Sequence, residues 1–311
     1  MDEGRWTLEL PPPYSLAYTV QLLRRTPSNL VDRWEAGQYI RGIRTRQGNC
    51  LVTVRQCGSL EASWAEVTIA APHISEPLHE DVVAILRRVL GLDVEVAELS
   101  ARFDVAPRLR SIAQRLRGMR PPRFPDLFET IASVVPFQQL SLESGVALLN
   151  RLVQALGEPV EHDALHAWVF PSALAVAAAS VTDVRGCGFS TAKAQTLTRL
   201  AQLVAGGPLT ESHLAVLPTA QLLTALADLP GIDPWTAAVI ALRGFGRLDV
   251  FPPGDAGIRR YLAQVFGRAK PLSHEEERGL VESLGPARGL LYFYVLGWRL
   301  DQRGLTGEVI P

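Results

Sequence analysis

Asp255 is the residue of this 311-residue chain whose type and position most suggest chemistry. It follows the Gly/Pro-rich run DVFPPG and begins a helical pattern in which Ile258, Tyr261, Leu262 and Val265 recur. A carboxylate there can stabilise developing positive charge or deprotonate water, and the helix dipole favours its anionic form. An isolated aspartate before a helix is more often a plain N-cap, so the choice between these roles depends on what precedes it.

A predicted helical hairpin, at about residues 219–245, precedes Asp255. Leu222 and Leu226 recur at helical spacing, and Pro230-Gly231 ends that helix because proline bars its continuation and glycine tolerates positive φ. Pro234 starts the next helix. Such a hairpin directs backbone N–H groups outward and makes a site for phosphate, so by itself it indicates contact with a nucleic-acid backbone.

The spacing of these two features makes the assignment specific. Asp255 follows Gly231 by 24 residues, and the runs PGIDPWTAAVIALRG and DVFPPGD resemble the helix-hairpin-helix/Gly-Pro-Asp superfamily of DNA base-excision glycosylases. The resemblance is closest to its 3-methyladenine DNA glycosylase II (AlkA) branch. Two further motifs, PFQQLS at 136–141 and GCGFSTAKA at 186–194, fall in the family's order, and the resemblance covers nearly the whole chain.

The predicted fold is mainly α, with an N-terminal α+β domain over 1–102 and an all-helical glycosylase domain over 103–311. The strand signal stops near residue 101. Before that point, alternation and turn residues predict strands, and the resemblance implies an antiparallel sheet with two helices. The strand candidates are 17–23, 38–45, 50–56 and 64–71, and the helix candidates are 28–34 and 79–90.

The resemblance implies that the enzyme flips a base out of DNA and hydrolyses its N-glycosidic bond, with Asp255 facing an oxocarbenium-like sugar. Trp235 stands where strand-cleaving relatives carry a lysine, and indole cannot form a Schiff base, so a monofunctional glycosylase is expected. The face of Trp235 would attract cationic 3-methyladenine or 7-methylguanine; core packing is the alternative. The other base-pocket candidates are Phe137, Gln138 and Tyr292.

The DNA-contact candidates lie in the same motifs. Gln139 holds the place of the wedge that fills the gap left by a flipped base, and Leu140 could substitute for it. The family prefers glycine at position 233; Asp233 tolerates left-handed φ, but its carboxylate would repel phosphate unless it turned away. The remaining candidates are Gly231, Trp235, Thr236 and Lys193.

The sequence predicts no required cofactor. Cys50, Cys57 and Cys187 are scattered and no cysteine follows them, which argues against a disulfide framework and against the iron–sulfur cluster of other branches. The family's hairpin holds a monovalent cation through main-chain carbonyls, which by position would be those of Ala227, Leu229 and Ile232. The histidines show no metal-site spacing, and surface or core roles are expected for His162 and His166.

Charge and hydropathy limit the partners. Net charge is −1, but residues 229–270 carry six basic and three acidic side chains, which predicts a small DNA footprint. Those basic residues are Arg243, Arg247, Arg259, Arg260, Arg268 and Lys270. The acidic start and the absence of a membrane-length apolar run predict a cytoplasmic, nucleoid-associated protein. The family resemblance implies that it acts, as a monomer, on double-stranded DNA containing alkylated bases.

Three alternatives stay open at this point. The same fold with Asp255 could act on oxidised guanine or uracil. A non-enzymatic DNA-binding hairpin protein would need no Asp255. An enzyme that cleaves free nucleosides would need no hairpin.

Overall fold

The computed structural model describes residues 1–304, so the last seven residues of the predicted second domain lie outside the described part. The N-terminal half of the fold is a sheet with strand order β1-β5-β4-β3, and a short β2 pairs with β3. All these neighbours are antiparallel. The strands are β1 (Asp2–Glu9), β2 (Arg33–Glu35), β3 (Gln38–Thr45), β4 (Gly48–Ser59) and β5 (Ala62–Ala71).

Two helices cover one face of this sheet. In β5 the alternation buries Ala65, Val67 and Ile69 against α1 (Leu16–Arg24) and α2 (Glu76–Val89). The strands predicted at 38–45, 50–56 and 64–71 and the helix predicted at 79–90 are therefore confirmed.

Two local predictions in this half are wrong. Residues 17–23 belong to α1 instead of a strand. Seven of the nine residues of α1 are buried, the polar Thr19 and Gln21 among them, so the segment shows no clear helical period. Residues 28–34 form no helix: Asn29 accepts the N–H groups of Val31 and Asp32 in a turn before β2. The sequence pattern predicts no strand over β1, whose residues are mostly exposed.

A β-hairpin interrupts the helical half, so the expectation of helices alone after residue 101 is wrong. Strands β6 (Glu158–His162) and β7 (Leu165–Val169) are antiparallel, and Val169 of β7 forms a parallel bridge to Gly42 of β3. The hairpin packs Val160, Ala167 and Val169 against the face of the sheet opposite α1 and α2.

Helices make up the rest of the fold. Their bounds are α3 (Ala97–Ser100), α4 (Pro107–Arg115), α5 (Leu127–Ala132), α6 (Leu142–Leu156), α7 (Ala173–Ala178), α8 (Val181–Gly186), α9 (Thr191–Ala205), α10 (Glu211–Ala215), α11 (Thr219–Ala227), α12 (Pro234–Phe245), α13 (Ala256–Val265), α14 (His274–Ser283) and α15 (Arg288–Gln302). One apolar cluster lies among α5–α12 and a second joins α13–α15 to α1 and α4. None of the described helices is both long and apolar enough to cross a bilayer.

A buried ion cluster fastens the sheet to the helices. Arg41 of β3, only 2% exposed, forms ion pairs with Asp32 before β2 and with Glu129 of α5. Tyr39 donates its hydroxyl to Asp32 at 2.7 Å. Burial raises the pKa of Glu129 to about 7, since it outweighs the lowering effect of Arg41. Two carboxylates thus share one guanidinium in the interior.

Candidate active site

The predicted hairpin is present as α11, a turn and α12. Leu222, Leu226 and Ile232 anchor it in the core, and Gly231 adopts φ +75° at the turn. Asp233 caps α12 by accepting the N–H of Thr236 at 2.7 Å. Its φ is −85°, so the predicted left-handed conformation at Asp233 is wrong, and its exposed carboxylate turns to the helix N–H group.

Gly231 is fixed by space as well as by conformation. A Cβ there would lie 1.9 Å from the hydroxyl oxygen of Thr196 in α9. Gly231→Ala should therefore lower the free energy of unfolding by about 2–4 kcal/mol, from overpacking and left-handed strain together. The measurement is chemical denaturation.

Gly207→Ala is the matched control, since Gly207 has φ +88° but no atom within 4 Å of an added Cβ. Equal losses in the two variants would contradict the steric part of the argument.

Asp255 sits where the hairpin helix meets the start of α13. One of its oxygens, Oδ1, accepts the N–H of Ile258 at 2.9 Å, which is the N-cap bond. The other, Oδ2, accepts the indole N–H of Trp235 at 2.9 Å. Both side chains are half-buried. The carboxylate is thus held at the hairpin with solvent access, and its N-cap role coexists with an oriented second oxygen.

The Trp235 contact predicts a specific kinetic effect. Trp235→Phe keeps an aromatic ring but removes the N–H that orients Oδ2, so base release should slow by about tenfold, the value of one hydrogen bond to a charged group. Single-turnover rates and duplex affinity should be measured together, because affinity should change little.

Trp64→Phe, at a tryptophan that is 42% exposed on β5, controls for loss of an indole elsewhere. A Trp235→Phe variant as fast as the wild type would contradict an orienting role.

The PFQQLS segment is tied to the hairpin by its own side chains. The amide nitrogen of Gln138 donates to the carbonyl of Gly231 at 3.0 Å and to the hydroxyl of Thr236 at 2.9 Å. Lys193 donates to the carbonyls of Pro136 at 3.1 Å and Gln138 at 2.6 Å. Gln138 and Lys193 thus fix the PFQQLS segment against the hairpin and α9.

These contacts correct two predicted DNA contacts. The ammonium of Lys193 is half-buried on protein carbonyls, and burial lowers its pKa. Thr236 is fully buried, so its hydroxyl cannot reach a duplex. Gln139 and Leu140 remain exposed at the tip: Gln139 has φ +57° and Leu140 is 43% exposed. The loop thus presents its two predicted wedge residues outward.

Two buried guanidinium groups pack on the ring of Phe124, one of them also on Phe137, and the sequence pattern did not reveal them. Arg25 lies 4.2 Å from the ring centroid of Phe137 and 5.3 Å from that of Phe124. Arg243 lies 4.8 Å from Phe124. Burial, together with Arg243, lowers the pKa of Arg25 to about 9. Tyr292 is nearly buried and packs edge-on against Phe293 next to this cluster.

The predicted basic footprint is wrong as a single surface. Arg243 is fully buried and donates to the carbonyl of Leu22. Arg247 is half-buried and donates to the carbonyls of Ala215 and Leu217. Arg268 is paired with a glutamate of α14. Counting charges along the chain could not detect this, because the partners come from distant segments.

Two sets of groups could hold a cation. The carbonyls predicted at Ala227, Leu229 and Ile232 lie at the end of α11 and in the hairpin turn. That of Leu229 accepts the N–H of Ile232 at 3.2 Å and keeps a second lone pair. Among the described residues, one group of side chains also has suitable atoms: His162, Glu3 and Asp163. His162 lies 3.5 Å from Glu3 and 3.7 Å from Asp163, at the tip of the β6–β7 hairpin.

A cavity of about 310 Å³ opens elsewhere, between β3, β7 and α5. Its lining includes Arg41, Glu129 and Phe170. It belongs to the junction between sheet and helices and does not share residues with the Asp255 site.

The chain is similar to known DNA glycosylases in sequence and in fold. A DNA-3-methyladenine glycosylase of Bacillus subtilis is 27% identical over 179 residues, 58% of this chain and 59% of that protein's length. DNA-3-methyladenine glycosylase 2 of Escherichia coli is 24% identical over 96% of this chain and 99% of its own. The solved 3-methyladenine DNA-glycosylase of Archaeoglobus fulgidus superposes with a TM-score of 0.79 at 25% identity and covers 96% of this chain and 98% of its own.

Two family descriptions together account for most of the sequence. Residues 5–126 match the AlkA N-terminal domain, and residues 132–286 match the HhH-GPD superfamily base excision DNA repair proteins. The second match contains the hairpin, Trp235 and Asp255. The chain therefore belongs to the HhH-GPD superfamily of base excision DNA repair proteins, in the branch that carries an AlkA N-terminal domain.

Proposed function

We propose that this protein is a monofunctional DNA glycosylase that removes alkylated bases, of the 3-methyladenine and 7-methylguanine type, from double-stranded DNA. The observation that carries the proposal is the Trp235–Asp255 hydrogen bond, which holds a half-exposed carboxylate beside a backbone-binding hairpin. The names of the relatives in Bacillus subtilis and Escherichia coli support the substrate class.

The proposed mechanism begins with the duplex on the hairpin. Exposed backbone around Gly231 binds phosphate, and the tip residues Gln139 and Leu140 enter the gap as the damaged nucleotide flips out. As the base leaves, positive charge develops on the deoxyribose. The carboxylate of Asp255 stabilises that charge, orients the attacking water and accepts its proton as the new C–O bond forms. The product is an abasic site.

The small number of lysines supports the monofunctional assignment. The sequence has only two lysines, Lys193 and Lys270. Lys193 is engaged with two protein carbonyls, and the position next to Asp255 is occupied by the indole of Trp235. A Schiff-base intermediate needs a free amine at the sugar, so strand cleavage is not part of this proposal.

In this proposal one protomer acts on DNA in the cytoplasm. No redox cofactor takes part. The carbonyls of Ala227, Leu229 and Ile232 would hold a monovalent cation, since carbonyl oxygens are the ligands that hard cations take. Such a cation would add positive charge at the phosphate site.

The test is base release from duplexes with one lesion each. 7-Methylguanine or 3-methyladenine should be released, and the strand should break only after alkali. Borohydride should trap no covalent complex. Strand breakage without alkali or a trapped complex would contradict the monofunctional assignment.

Release of a neutral damaged base, such as oxidised guanine or uracil, is the second candidate. It is favoured by the buried Arg25 behind Phe137, because positive charge opposes a cationic base. The same single-lesion panel decides between the two: faster release of the neutral lesions would favour the second candidate.

A further inference from the structure

The tip of the PFQQLS segment is a β-turn whose third residue has a strained backbone. The N–H of Leu140 donates to the carbonyl of Phe137 at 3.3 Å and closes the turn. Gln138 has φ −54° and ψ 118°, and Gln139 has φ +57°. These angles match a type II turn, in which glycine or asparagine is favoured at the third position. A glutamine there is strained, so contacts from other parts of the fold have to hold the turn.

Lys193 binds the carbonyl whose direction distinguishes the two common turn types. Type I and type II turns differ in the orientation of the peptide between their second and third residues. Here that peptide joins Gln138 to Gln139, and its carbonyl accepts a hydrogen bond from the ammonium of Lys193 at 2.6 Å. In a type I turn Gln139 would have an unstrained negative φ, but the carbonyl would point away from Lys193. The hydrogen bond therefore offsets the strain of Gln139 and favours the type II form.

Other contacts fix the base of the turn on both sides. Lys193, on α9, also donates to the carbonyl of Pro136 at 3.1 Å. On the hairpin side, the amide of Gln138 donates to the carbonyl of Gly231 at 3.0 Å and to the hydroxyl of Thr236 at 2.9 Å. Hydrogen bonds from a charged donor are about twice as strong as neutral ones, so the ammonium makes the strongest of these contacts. The two tip side chains stay exposed.

We propose that Lys193 is a positioning residue that sets the direction in which Gln139 and Leu140 enter the duplex, by holding the carbonyl of Gln138 in the type II orientation. Without the ammonium, the central peptide of the turn rotates, the strain of Gln139 is released and the tip side chains change direction. The gap left by a flipped base is then filled less well, whereas the carboxylate of Asp255 is unaffected. This inference rests on the proposed function, because it assumes that the tip fills that gap.

The experiment compares Lys193→Met with the wild type in single-turnover base release from two duplexes. In one duplex 7-methylguanine is paired with cytosine, and in the other it lies opposite an abasic-site analogue. Release of the paired lesion should slow by about tenfold, which corresponds to one hydrogen bond from a charged donor. Release of the unpaired lesion should slow by less than about twofold, because an unpaired base is easier to extrude. Equal slowing on both duplexes would overturn the inference.

Gln139→Asn supplies the second variant. Asparagine is favoured at the third position of a type II turn and keeps a side-chain amide. Added to Lys193→Met, it should restore the release of the paired lesion by about threefold, because the turn then needs less support. No recovery would show that Lys193 does not act through the turn. If Lys193→Met alone does not fold, the two duplexes are compared in the Gln139→Asn background, where a smaller difference of the same kind is expected and equal slowing overturns the inference.

Arg120→Met is the matched control. Arg120 is a buried cation that donates to backbone carbonyls outside the PFQQLS segment, including those of Val94 and Pro11. Any slowing in this variant should be the same on both duplexes; a difference between them would mean that loss of any such cation has this effect. If Asp255→Asn is inactive while Lys193→Met matches the wild type on both duplexes, the inference fails and the proposed function stands. If the wild type releases no base from either duplex, the proposed function itself fails.

Discussion

Replacing Asp255 with asparagine should lower the single-turnover rate of base release by about 10²–10⁴-fold, the range for removing a charge-stabilising or general-base group. Asparagine keeps the oxygen that accepts the N–H of Ile258, so α13 should remain capped. Folding and affinity for an abasic duplex should therefore change little, and the loss should fall on the chemical step. Product formation under enzyme excess measures it directly.

Asp249→Asn is the control for that result. Asp249 lies six residues upstream in the same loop region and is exposed, so it offers the same charge change away from the Trp235 contact. It should retain nearly full activity. Comparable losses in both variants would mean that the general charge of the loop matters and that Asp255 has no special role.

Replacing Arg41 with methionine should produce the largest loss of stability. The substitution leaves Asp32 and Glu129 buried without a counter-charge, which costs about 3–5 kcal/mol in unfolding free energy. A thermal midpoint about 10 °C lower is expected. The loss should be greater at about pH 8 than at about pH 5.

The sign of that pH effect follows from Glu129. Its pKa in the folded protein is raised to about 7, so the folded state binds more protons than the unfolded state between its ordinary value and 7. Stability from this group is therefore present at low pH and is lost as pH rises through that range. Without Arg41 the carboxyl depends still more on being protonated.

Arg46→Met controls for the loss of an ion pair as such. Arg46 pairs with Asp81, but its side chain is 78% exposed, and such a pair contributes less than about 1 kcal/mol. Adding Asp32→Asn and Glu129→Gln to Arg41→Met should recover part of the lost stability, because no buried charge remains. An Arg41→Met protein within 1 kcal/mol of the wild type would contradict the buried-charge argument.

The central motif was predictable because it is local. Proline and glycine between two apolar helical patterns define the hairpin within a few residues. The turn needs a left-handed residue, and Gly231 supplies it. Asp255 was likewise predictable from the Gly/Pro-rich loop that precedes it. The sequence could not show that the indole N–H of Trp235 is directed at the carboxylate, since that depends on how α12 and α13 meet.

Other residues near the site could not be predicted because they are charged and yet buried. Arg25 and Arg243 read as surface residues in any hydropathy pattern, yet the fold buries both. The aromatic rings and backbone carbonyls that contact them lie on segments remote in sequence. Pattern reasoning assigns charged side chains to solvent, and these two positions depart from it because packing brings aromatic faces and carbonyl oxygens to them.

The β6–β7 hairpin was missed for another reason. Its strands are five residues each, and only Val160, Ala167 and Val169 turn inward, so neither strand shows a long alternation. Helical patterns before and after it made an unbroken helical region the simpler prediction.

That hairpin also determines where the chain can be divided. It leaves the helical half, lies on the sheet formed by the first seventy residues and reaches Glu3 with its tip at His162. A fragment beginning at residue 103 would expose Val160 and Val169 to water on a hairpin that has lost its contact with the sheet, a surface that favours self-association. A shortened enzyme for engineering or crystallisation would have to lose the hairpin together with the sheet, or keep both.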